Sequence, residues 1–374
     1  MRIGLFVLMA GRHGGGPETY EIELLRAIAR MDQRNEFIVY CTGDYAVDAI
    51  GVRQDNFRYQ VLKPALRPIS IGLTLPYLMR RDGLDFYHAT FTPPPFSACP
   101  MVFTMHCISS LVHPEFYPRW IAMRLNHLLK AGMARCQHMV CVSQTTLEHV
   151  HSHYGIPRQK MSVAYNGVGS LFQELPAGES RSLVLESLGI DRPYILFIGK
   201  LQKHKNLVRL VQAFDRFRRA TSSDAMLVLA GKPVTGVDEL ELTIQRLGLK
   251  PHVKWLGYLP DSALPHLYGA ARMVAFPSLW EGFGIPLIEA MACGTPVIAS
   301  NSTCLPEVAG GAARIFDPLS IEDMANAMAD VDGSEEFRTQ LIAKGRVRAR
   351  DFSWDNCARS TLKAYETLGY QLPS

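Results

Sequence analysis

Short apolar runs alternate with longer amphipathic stretches along most of this chain, and that alternation limits the fold more than any other feature. The runs are continuously apolar rather than apolar at every second residue, which is typical of strands buried on both faces. Strands that alternate with helices predict parallel sheets covered by helices on both sides, so the sequence predicts an α/β protein. The predicted strands are residues 3–9, 37–41, 57–62, 86–88, 102–105, 139–142, 194–198, 226–230, 253–256, 273–276 and 296–299.

The chain is long enough for two domains, because 374 residues exceed what one hydrophobic core usually organises. The alternation lapses between about residues 167 and 192, where Gly, Pro and Ser are frequent and no buried run stands out, so we predict a linker there. We predict doubly wound domains over residues 1–180 and 181–350, followed by a terminal segment 351–374. Within that segment, residues 352–368 predict an amphipathic helix with Asp351 or Ser353 as its N-cap.

Composition excludes some classes of function. The 39 basic and 35 acidic side chains give a net charge of +4, far weaker than the clustered charge of nucleic-acid-binding proteins, so no nucleic acid is expected as a partner. No apolar stretch approaches the roughly 18 residues that a membrane-spanning helix needs. Residues 3–10 are followed by Gly11 and Arg12 rather than by a cleavage site, so they predict a first strand and not a signal peptide.

The eight cysteines are scattered, and none forms a Cys-x-x-Cys pair. The two nearest, Cys136 and Cys141, have no second pair beside them at the spacing of a zinc site. Scattered cysteines in a long chain are typical of reduced, packed thiols in a cytosolic protein. We therefore expect a cytoplasmic protein that is soluble or at most peripheral at the inner face of a membrane.

The most informative segment is residues 277–294, which follows a predicted strand. Gly282 and Gly284 let a ligand approach the backbone closely. Pro286 suits the first turn of a helix, and Gly294 suits its C-terminal cap. A strand, a glycine loop and a helix N-terminus together form an anion site, which in a parallel sheet lies at the carboxyl ends of the strands.

Two carboxylates bracket this loop. Glu281 precedes it, and Glu289 is expected in the first turn or so of the helix. Loop and helix separate the two, so they are better placed to accept hydrogen bonds from two hydroxyl-bearing parts of one ligand than to form an acid–base pair. In the structural alternative, Glu281 only solvates the loop and Glu289 complements the helix dipole. The glycines, the proline and the helix N-terminus favour a ligand site.

A second motif, residues 197–206, joins a strand end to a helix predicted at 207–219, and it holds three lysines and a histidine within six residues. Lysine binds phosphate as a compact charge. Lys205 lies at the entrance of the helix, where the dipole also favours an anion. Lys203 is interpreted as a solvated residue of the turn.

Glycines also follow the first predicted strand, in the segment from Gly14 to Pro17 before a helix predicted at 19–31. They do not match the G-x-G-x-x-G fingerprint of dinucleotide-binding proteins. A loop that faces a phosphate or a sugar and a simple tight turn are equally supported. His88 and His106 each close a predicted strand, and we favour His106 as the one that faces a ligand.

These segments, in this order, resemble glycosyltransferase family 4, whose members are retaining enzymes with the GT-B fold, two Rossmann-like domains facing a cleft. The E-x7-E pattern of Glu281 and Glu289 carries the resemblance most specifically. The N-terminal glycine loop, His106 and the segments 141–143, 166–168, 199–205 and 256–258 extend it over most of the chain. The family's last helix typically crosses back onto the N-terminal domain.

The resemblance implies a role for each matching residue. The glycine loop and Lys205 are expected to bind the donor diphosphate, Glu281 and the adjacent amides the donor sugar, and Glu289 the ribose. His106 is expected near the reaction centre, and the nucleotide base near Tyr258. The implied donor-binding set is Gly15, Gly16, Lys200, Lys205, Tyr258, Glu281, Gly282, Phe283, Gly284, Ile285, Leu287 and Glu289, and the implied catalytic set is His106, Lys205 and Glu281.

Two positions depart from the family pattern. Many members have arginine where Lys200 stands, and lysine keeps the charge but loses the bidentate fork, so the phosphate role of Lys200 stays open. Many members also have aspartate where Cys107 follows His106. If that aspartate shapes the acceptor site or its loop, this chain does so differently.

The resemblance implies transfer of a hexose from a nucleoside diphosphate sugar to an acceptor hydroxyl, with retention and without a metal or other cofactor. The expected donor is a UDP-hexose, with GDP-mannose as the second candidate, and the expected acceptor is a sugar or a lipid-linked molecule. Residues 119–130 mix apolar and basic side chains, which suits a packed helix, the favoured interpretation, or a helix on a membrane surface. The rival functions are a sugar-nucleotide epimerase of the same architecture and a non-catalytic nucleotide-sugar-binding protein.

Overall fold

The computed structural model of this chain describes residues 1–64 and 66–372. It forms two compact units, of which unit 1 comprises Met1–Gly167 and Ser353–Ser374 and unit 2 comprises Val168–Phe352. The strands are β1 (Arg2–Phe6), β2 (Glu36–Cys41), β3 (Phe57–Val61), β4 (Phe86–Ala89), β5 (Met101–Met105), β6 (His138–Cys141), β7 (Met161–Val163), β8 (Tyr194–Ile198), β9 (Met226–Ala230), β10 (Val253–Gly257), β11 (Met273–Phe276), β12 (Val297–Ser300) and β13 (Arg314–Phe316).

Helices connect these strands in both units. They are α1 (Gly16–Met31), α2 (Asp44–Ile50), α3 (Arg67–Ile69), α4 (Leu75–Arg81), α5 (Ser109–Val112), α6 (Arg119–Arg135), α7 (Gln144–Tyr154), α8 (Ala177–Leu188), α9 (Leu207–Thr221), α10 (Val237–Arg246), α11 (Leu264–Gly269), α12 (Ile285–Ala292), α13 (Leu305–Ala309), α14 (Ile321–Gly333), α15 (Glu335–Ala349) and α16 (Trp354–Tyr365). No helix among residues 1–64 and 66–372 combines the length and the apolarity that crossing a bilayer requires.

Each unit is built on one parallel sheet. The strand order is β3-β2-β1-β4-β5-β6-β7 in unit 1 and β10-β9-β8-β11-β12-β13 in unit 2. In both sheets the chain starts near the middle, moves to one edge and then returns past its starting strand, which is the doubly wound topology. The α/β fold with two doubly wound parallel sheets is therefore confirmed.

The sheets contain two strands that the sequence did not predict. β7 and β13 have three residues each and carry polar or charged side chains, and each forms one edge of its sheet. An edge strand needs only one partner, so it needs no long apolar run. The first strand is shorter than predicted and ends at Phe6 rather than at residue 9. The Val7 amide still bonds to the Tyr40 carbonyl of β2. The chain leaves the sheet after it, because the amides of Leu8, Met9 and Ala10 bond to the Glu21 side chain instead of a strand.

The unit boundary lies before the position expected from the sequence. The structure divides the chain between Gly167 and Val168, whereas the sequence suggested residue 180. The expected linker at 167–192 also contains α8, which packs against α11 and so belongs to unit 2. The helix was not predicted because its small and polar residues give no clear apolar stripe. At the far end the chain returns to unit 1 at Ser353 rather than at residue 351, and the last two residues of the expected 351–374 segment lie outside the described part.

α16 belongs to unit 1 and packs against α1. Of the two N-cap candidates, Ser353 is the cap, since its Oγ accepts a hydrogen bond from the amide of Asn356 at 3.1 Å. Its last residue, Tyr365, is fully buried and bonds to His88. The predicted helix extends to residue 368 only as a tighter final turn, Glu366–Leu368.

Three glycines bring the ends of β8, β9 and β10 close together in unit 2. The amide of Gly199 donates to the carbonyl of Ala230 at 3.0 Å, and the amide of Gly231 donates to the carbonyl of Gly257 at 2.7 Å. A Cβ atom on Gly231 would lie 1.9 Å from the Gly199 oxygen, so no side chain fits there. This close approach forms the base from which the lysine-rich turn begins.

Candidate active site

The lysine-rich turn and the glycine loop of unit 2 are fastened to each other through the backbone. The turn Lys203–Lys205 follows the end of β8, and the carbonyl of His204 accepts a hydrogen bond from the amide of Leu279 at 2.8 Å. Asn206 adopts a left-handed conformation with φ of 60° and donates from Nδ2 to the carbonyls of Pro277 at 3.1 Å and Pro318 at 2.8 Å. Asn206 therefore joins three loops at one edge of the sheet.

Lys205 and Glu281 meet at this junction. The Nζ atom of Lys205 lies 2.5 Å from Oε1 of Glu281, and the two side chains are only 16% and 12% exposed. Ser278 donates from Oγ to the same carboxylate oxygen at 2.7 Å, and the amide of Glu281 donates to Oγ1 of Thr303 at 3.0 Å. The structure thus brings together two residues that lie 76 positions apart in the sequence.

The carboxylate of Glu281 is charged at neutral pH. Burial acts to raise its pKa, but the positive charge of Lys205 and the hydrogen bonds from Lys205 and Ser278 outweigh burial, so the pKa lies below its ordinary value. Burial and the neighbouring Lys205 lower the pKa of His204 to about 4, so this imidazole is neutral at neutral pH. The site therefore holds one cation and one anion in direct contact.

The helix N-terminus beside this pair has the expected form. Gly284, with φ of 93°, immediately precedes α12, and Pro286 lies in the first turn. Phe283 is buried and packs edge-on against Phe352, with 5.4 Å between ring centres. Ile285 and Leu287 are also buried. The Leu287 amide donates to the Gly284 carbonyl at 2.9 Å, so of these two residues it is the backbone amide of Ile285, rather than a side chain, that can face a ligand.

Glu289 lies in the second turn of α12, one turn later than the sequence suggested, since the helix begins at Ile285. It is 6% exposed and accepts a hydrogen bond from the hydroxyl of Tyr268 at 2.9 Å. Burial raises its pKa to about 8, so Glu289 is largely protonated at neutral pH. Because Glu289 is buried in the second turn, it is not a solvated residue that only complements the dipole at the helix N-terminus. Tyr268 was not predicted, because nothing in its local sequence links it to residue 289.

Two further predicted residues lie at the carboxyl ends of β8 and β10, the strands on either side of β9. Lys200 is partly buried and follows Gly199, and Tyr258 is 46% exposed directly after β10. Lys232 was not predicted. It follows Gly231 at the end of β9, and its Nζ lies 4.8 Å from the centre of the Tyr258 ring. A basic residue directly after a strand-ending glycine was the available signal.

The N-terminal glycine loop of unit 1 is bonded to a side chain of its own helix. Gly15, with φ of 74°, precedes α1, which begins at Gly16 rather than at residue 19. The Glu18 carboxylate accepts hydrogen bonds from the amides of Arg12 at 2.9 Å and Gly14 at 2.5 Å. Gly15 and Gly16 themselves are exposed. Glu18 thus occupies one amide of the predicted glycine loop, that of Gly14.

Glu21 supports the segment before this loop from inside the protein. Its carboxylate accepts hydrogen bonds from the amides of Leu8, Met9 and Ala10 at 3.0, 2.6 and 2.8 Å. The hydroxyl of Thr90 also donates to it at 2.9 Å. Glu21 is fully buried, and burial raises its pKa to about 7 although the hydrogen bonds act in the opposite direction. The sequence analysis did not identify this residue.

The two histidines of unit 1 have different surroundings. His88 is fully buried and bonds at 2.7 Å to both the Tyr365 hydroxyl and Oγ1 of Thr104, so it is structural. His106 is partly exposed, and its Nε2 donates to the Thr90 carbonyl at 2.8 Å. Burial lowers the pKa of His106 to about 4, so the ring is neutral and its Nδ1 is left as an acceptor.

Comparison with known proteins agrees with this architecture. The family model described as Glycosyltransferase Family 4 matches residues 14–169, and the model described as Glycosyl transferases group 1 matches residues 185–348. The O-antigen chain mannosyltransferase B of Escherichia coli is 31% identical over 291 residues, which cover 77% of this chain and 76% of that protein.

Solved structures show the same fold at lower identity. The sucrose-phosphate synthase of Thermosynechococcus elongatus has a TM-score of 0.79 at 20% identity and covers 99% of each chain. The Anabaena protein HepE in complex with UDP and glucose has a TM-score of 0.77 at 21% identity and covers 98% of this chain and 100% of its own. By its sequence relatives and its two parallel-sheet units, the chain is a glycosyltransferase that belongs to family 4 and has the GT-B fold.

Proposed function

We propose that this enzyme transfers a hexose from a nucleoside diphosphate sugar to an acceptor hydroxyl and retains the configuration at the anomeric carbon. The observation that carries the proposal is the Lys205–Glu281 pair, which Ser278 and Thr303 hold at the start of α12. The pair offers a cation and a carboxylate side by side. A sugar diphosphate carries the matching groups side by side, since its anionic diphosphate can pair with the cation and its hydroxyl groups can donate to the carboxylate.

Lys205 serves the diphosphate in this proposal. As the bond from the anomeric carbon to the diphosphate oxygen breaks, negative charge grows on that oxygen. The ammonium of Lys205 and the amides at the N-terminus of α12, where the helix dipole is positive, stabilise the growing charge. Fixed positive groups of this kind perform the task without a metal ion, so the reaction is proposed to be metal-independent.

Glu281 and Glu289 serve the hydroxyl groups. When Lys205 turns to the diphosphate, the Glu281 carboxylate is released to accept hydrogen bonds from the sugar. Glu289 accepts or donates to the ribose, and Tyr268 holds it in place from behind. The proton of the acceptor hydroxyl passes to the departing diphosphate oxygen while the new bond to the anomeric carbon forms on the same face.

The relatives change the order of the donor candidates. The Escherichia coli protein is named a mannosyltransferase of an O-antigen chain, so we propose GDP-mannose first and a UDP-hexose second. We further propose a growing, lipid-linked glycan as the acceptor, which the enzyme meets at the cytoplasmic face of a membrane.

The donor is tested by melting the protein in the presence of GDP-mannose, UDP-glucose, UDP-galactose and the free nucleotides. A ligand that binds only the folded state at 100 times its Kd adds about 2.7 kcal/mol, which is a clear rise in melting temperature. GDP-mannose is expected to produce the largest rise. A rise with UDP-sugars alone would make a UDP-hexose the donor in place of GDP-mannose. No rise with any of these ligands would contradict the donor site.

The reaction is tested by NMR of the product. The proposal expects the anomeric configuration of the donor to be kept, and inversion would overturn the mechanism. Conversion of the nucleotide sugar without any acceptor would instead indicate an epimerase. Addition of EDTA is expected to leave the transfer rate unchanged, and complete loss of activity would overturn the metal-independent mechanism.

A further inference from the structure

The positive charge of this chain is concentrated in one part of unit 1. Residues 56–147 contain nine Lys or Arg and only three Asp or Glu, a net charge of +6. The whole chain carries +4, so the rest of it carries −2. Of the implied catalytic set only His106 lies in this part, and its ring is neutral, so the basic residues here need their own explanation.

The first helical stretch within this part exposes an apolar stripe. α3, a π-helical turn at Ser70–Thr74 and α4 follow one another without a break. Leu66, Ile69, Leu73 and Tyr77 recur every three or four residues along one face and are between 42% and 68% exposed. Arg80 continues the same face and is exposed. The opposite face is packed, since Leu75, Leu78 and Met79 are buried.

α6 repeats this arrangement. Trp120 and Met123 are 64% and 70% exposed, and the Arg124 guanidinium lies 5.7 Å from the centre of the Trp120 ring. His127 and Lys130 are exposed on the same face. The helix has no acidic residue, and Ala122, Leu129 and Met133 on its other side are buried. The sequence favoured a packed helix over a membrane-surface helix, and the structure shows one face suited to each.

The two stripes share one face of the sheet. α3 and α4 lie in the connection from β3 to β4, and α6 lies in the connection from β5 to β6. Both connections cross the sheet in the same direction, toward β7. Crossovers between parallel strands are right-handed, so connections that run in one direction lie on one face. The connection from β1 to β2 runs the opposite way and places α1 on the other face.

We propose that these two stripes form a lipid-binding surface that docks on an anionic bilayer. Leucine, isoleucine and methionine enter the boundary between headgroups and acyl chains, while tryptophan and tyrosine lie at headgroup level. Arg80, Arg124 and Lys130 lie beside them and pair with anionic headgroups. A second copy of the chain fits this surface poorly, because a symmetric contact would bring the same net positive charge against itself.

Vesicle sedimentation tests the proposal. The full chain is mixed with vesicles of pure phosphatidylcholine or of phosphatidylcholine with phosphatidylglycerol, at low and high salt. Wild type is expected to bind the anionic vesicles, to lose binding as salt rises, and to leave the neutral vesicles largely unbound. Equal binding to neutral vesicles, or no binding to either, would overturn it.

Two pairs of variants locate the surface. Leu73→Ser with Tyr77→Ser, and Trp120→Ser with Met123→Ser, are each expected to weaken binding at least tenfold. The matched control is Leu242→Ser with Val347→Ser, which removes apolar side chains that are 62% and 65% exposed in unit 2. The control is expected to bind vesicles like wild type. An equal loss in the control would overturn the assignment.

The charge is tested separately. Arg124→Gln with Lys130→Gln is expected to weaken binding about 25-fold, since each basic residue near an anionic surface contributes about fivefold. Lys344→Gln in unit 2 is the control. All variants must keep the melting temperature of wild type, and light scattering reports their mass. A wild-type dimer that the stripe variants convert to monomers, without any vesicle binding, would assign the surface to a second copy instead.

Discussion

The two glycine loops of this enzyme look alike in sequence but use their carboxylates in different ways. Each loop follows a strand, precedes a helix with proline near its start and has glutamates close by. In unit 1, Glu18 and Glu21 bond to backbone amides of the loop segment itself. In unit 2, Glu281 and Glu289 bond to the side chains of Lys205 and Tyr268.

Under the proposed function, this difference separates a carboxylate that supports the backbone from one that binds a ligand. A carboxylate bonded to several backbone amides cannot leave without exposing buried donors, so Glu21 fixes the chain. A carboxylate paired with one flexible lysine can exchange that partner for a ligand. In the proposed mechanism the loop of unit 2 is the one whose carboxylate exchanges its lysine for a ligand. Substitutions should therefore affect catalysis in unit 2 and stability in unit 1.

The largest expected effect is on catalysis in unit 2. Lys205→Met should lower kcat/KM by about 10²–10³-fold, because the charge that meets the leaving diphosphate is lost. Lys203→Met in the same turn is the control and should stay near wild type, since Lys203 is exposed. Circular dichroism should show both variants folded. Wild-type rates in Lys205→Met would remove the pair from the mechanism.

In unit 1 the largest effect should be on stability. Glu21→Ala should lower the free energy of unfolding by about 3 kcal/mol, because the amides of Leu8, Met9 and Ala10 lose their acceptor. Urea denaturation measures this. Glu23→Ala on the same helix should cost under about 0.5 kcal/mol, since Glu23 only pairs with the partly exposed Arg26. Equal effects would contradict the structural role of Glu21.

The pH dependence of stability should identify the buried acid of unit 2. The pKa of Glu289 is about 8 in the folded chain, against 4.5 as its ordinary value. Between these values the folded chain binds the proton that the unfolded chain has released, so this group makes stability fall as pH rises. Glu289→Gln should therefore gain on wild type by about 3.5 kcal/mol between pH 5 and pH 8.

Tyr268→Phe supplies the opposite control for that measurement. The tyrosine hydroxyl bond lowers the pKa of Glu289, so its removal should raise the pKa and steepen the fall in stability. Melting temperatures from pH 5 to pH 8.5 test both variants. Parallel curves for Glu289→Gln and wild type would show that Glu289 keeps an ordinary pKa.

The smallest expected effect is at Glu18. Glu18→Gln should lower the free energy of unfolding by about 1 kcal/mol, because an amide side chain has one acceptor oxygen for the two amides of Arg12 and Gly14. Glu18→Ala should cost more than the glutamine variant in the same urea experiment. A stabilised variant would instead indicate that the loop is strained by its own carboxylate.

The fold was predictable because its strands are continuous apolar runs that need no information from elsewhere in the chain. The strands that escaped prediction, β7 and β13, are short edges that exist only because a neighbour is present. α8 was also missed, because its mixed small and polar residues show no clear apolar stripe. The end of β1 was also set by a distant residue, since the amides of Leu8 and Met9 bond to Glu21 rather than to a strand.

The site was predictable only as far as its local motifs. The glycines, Lys205 and Glu281 indicate an anion site by residue type. The contact between Lys205 and Glu281 joins residues that are 76 positions apart, so only the fold shows it. Asn206, Ser278, Thr303 and Tyr268 hold the site through long-range bonds that leave no local pattern. Glu21 and Glu289 did leave one signal, because each is an acidic residue among buried neighbours of its helix.

Under the proposed function, the Lys205–Glu281 pair also makes the site selective against simple anions. Glu281 is a competitor for Lys205 that is tethered to the protein, so it acts at an effective concentration far above that of a free ion in solution. Inorganic phosphate or sulfate can displace it only by leaving a carboxylate buried without its cation. A ligand that brings its own hydrogen-bond donors to Glu281 avoids that loss. Glu281 thus acts as a built-in competitor for Lys205, and the proposed ligand displaces it because that ligand carries both an anion and hydroxyl groups.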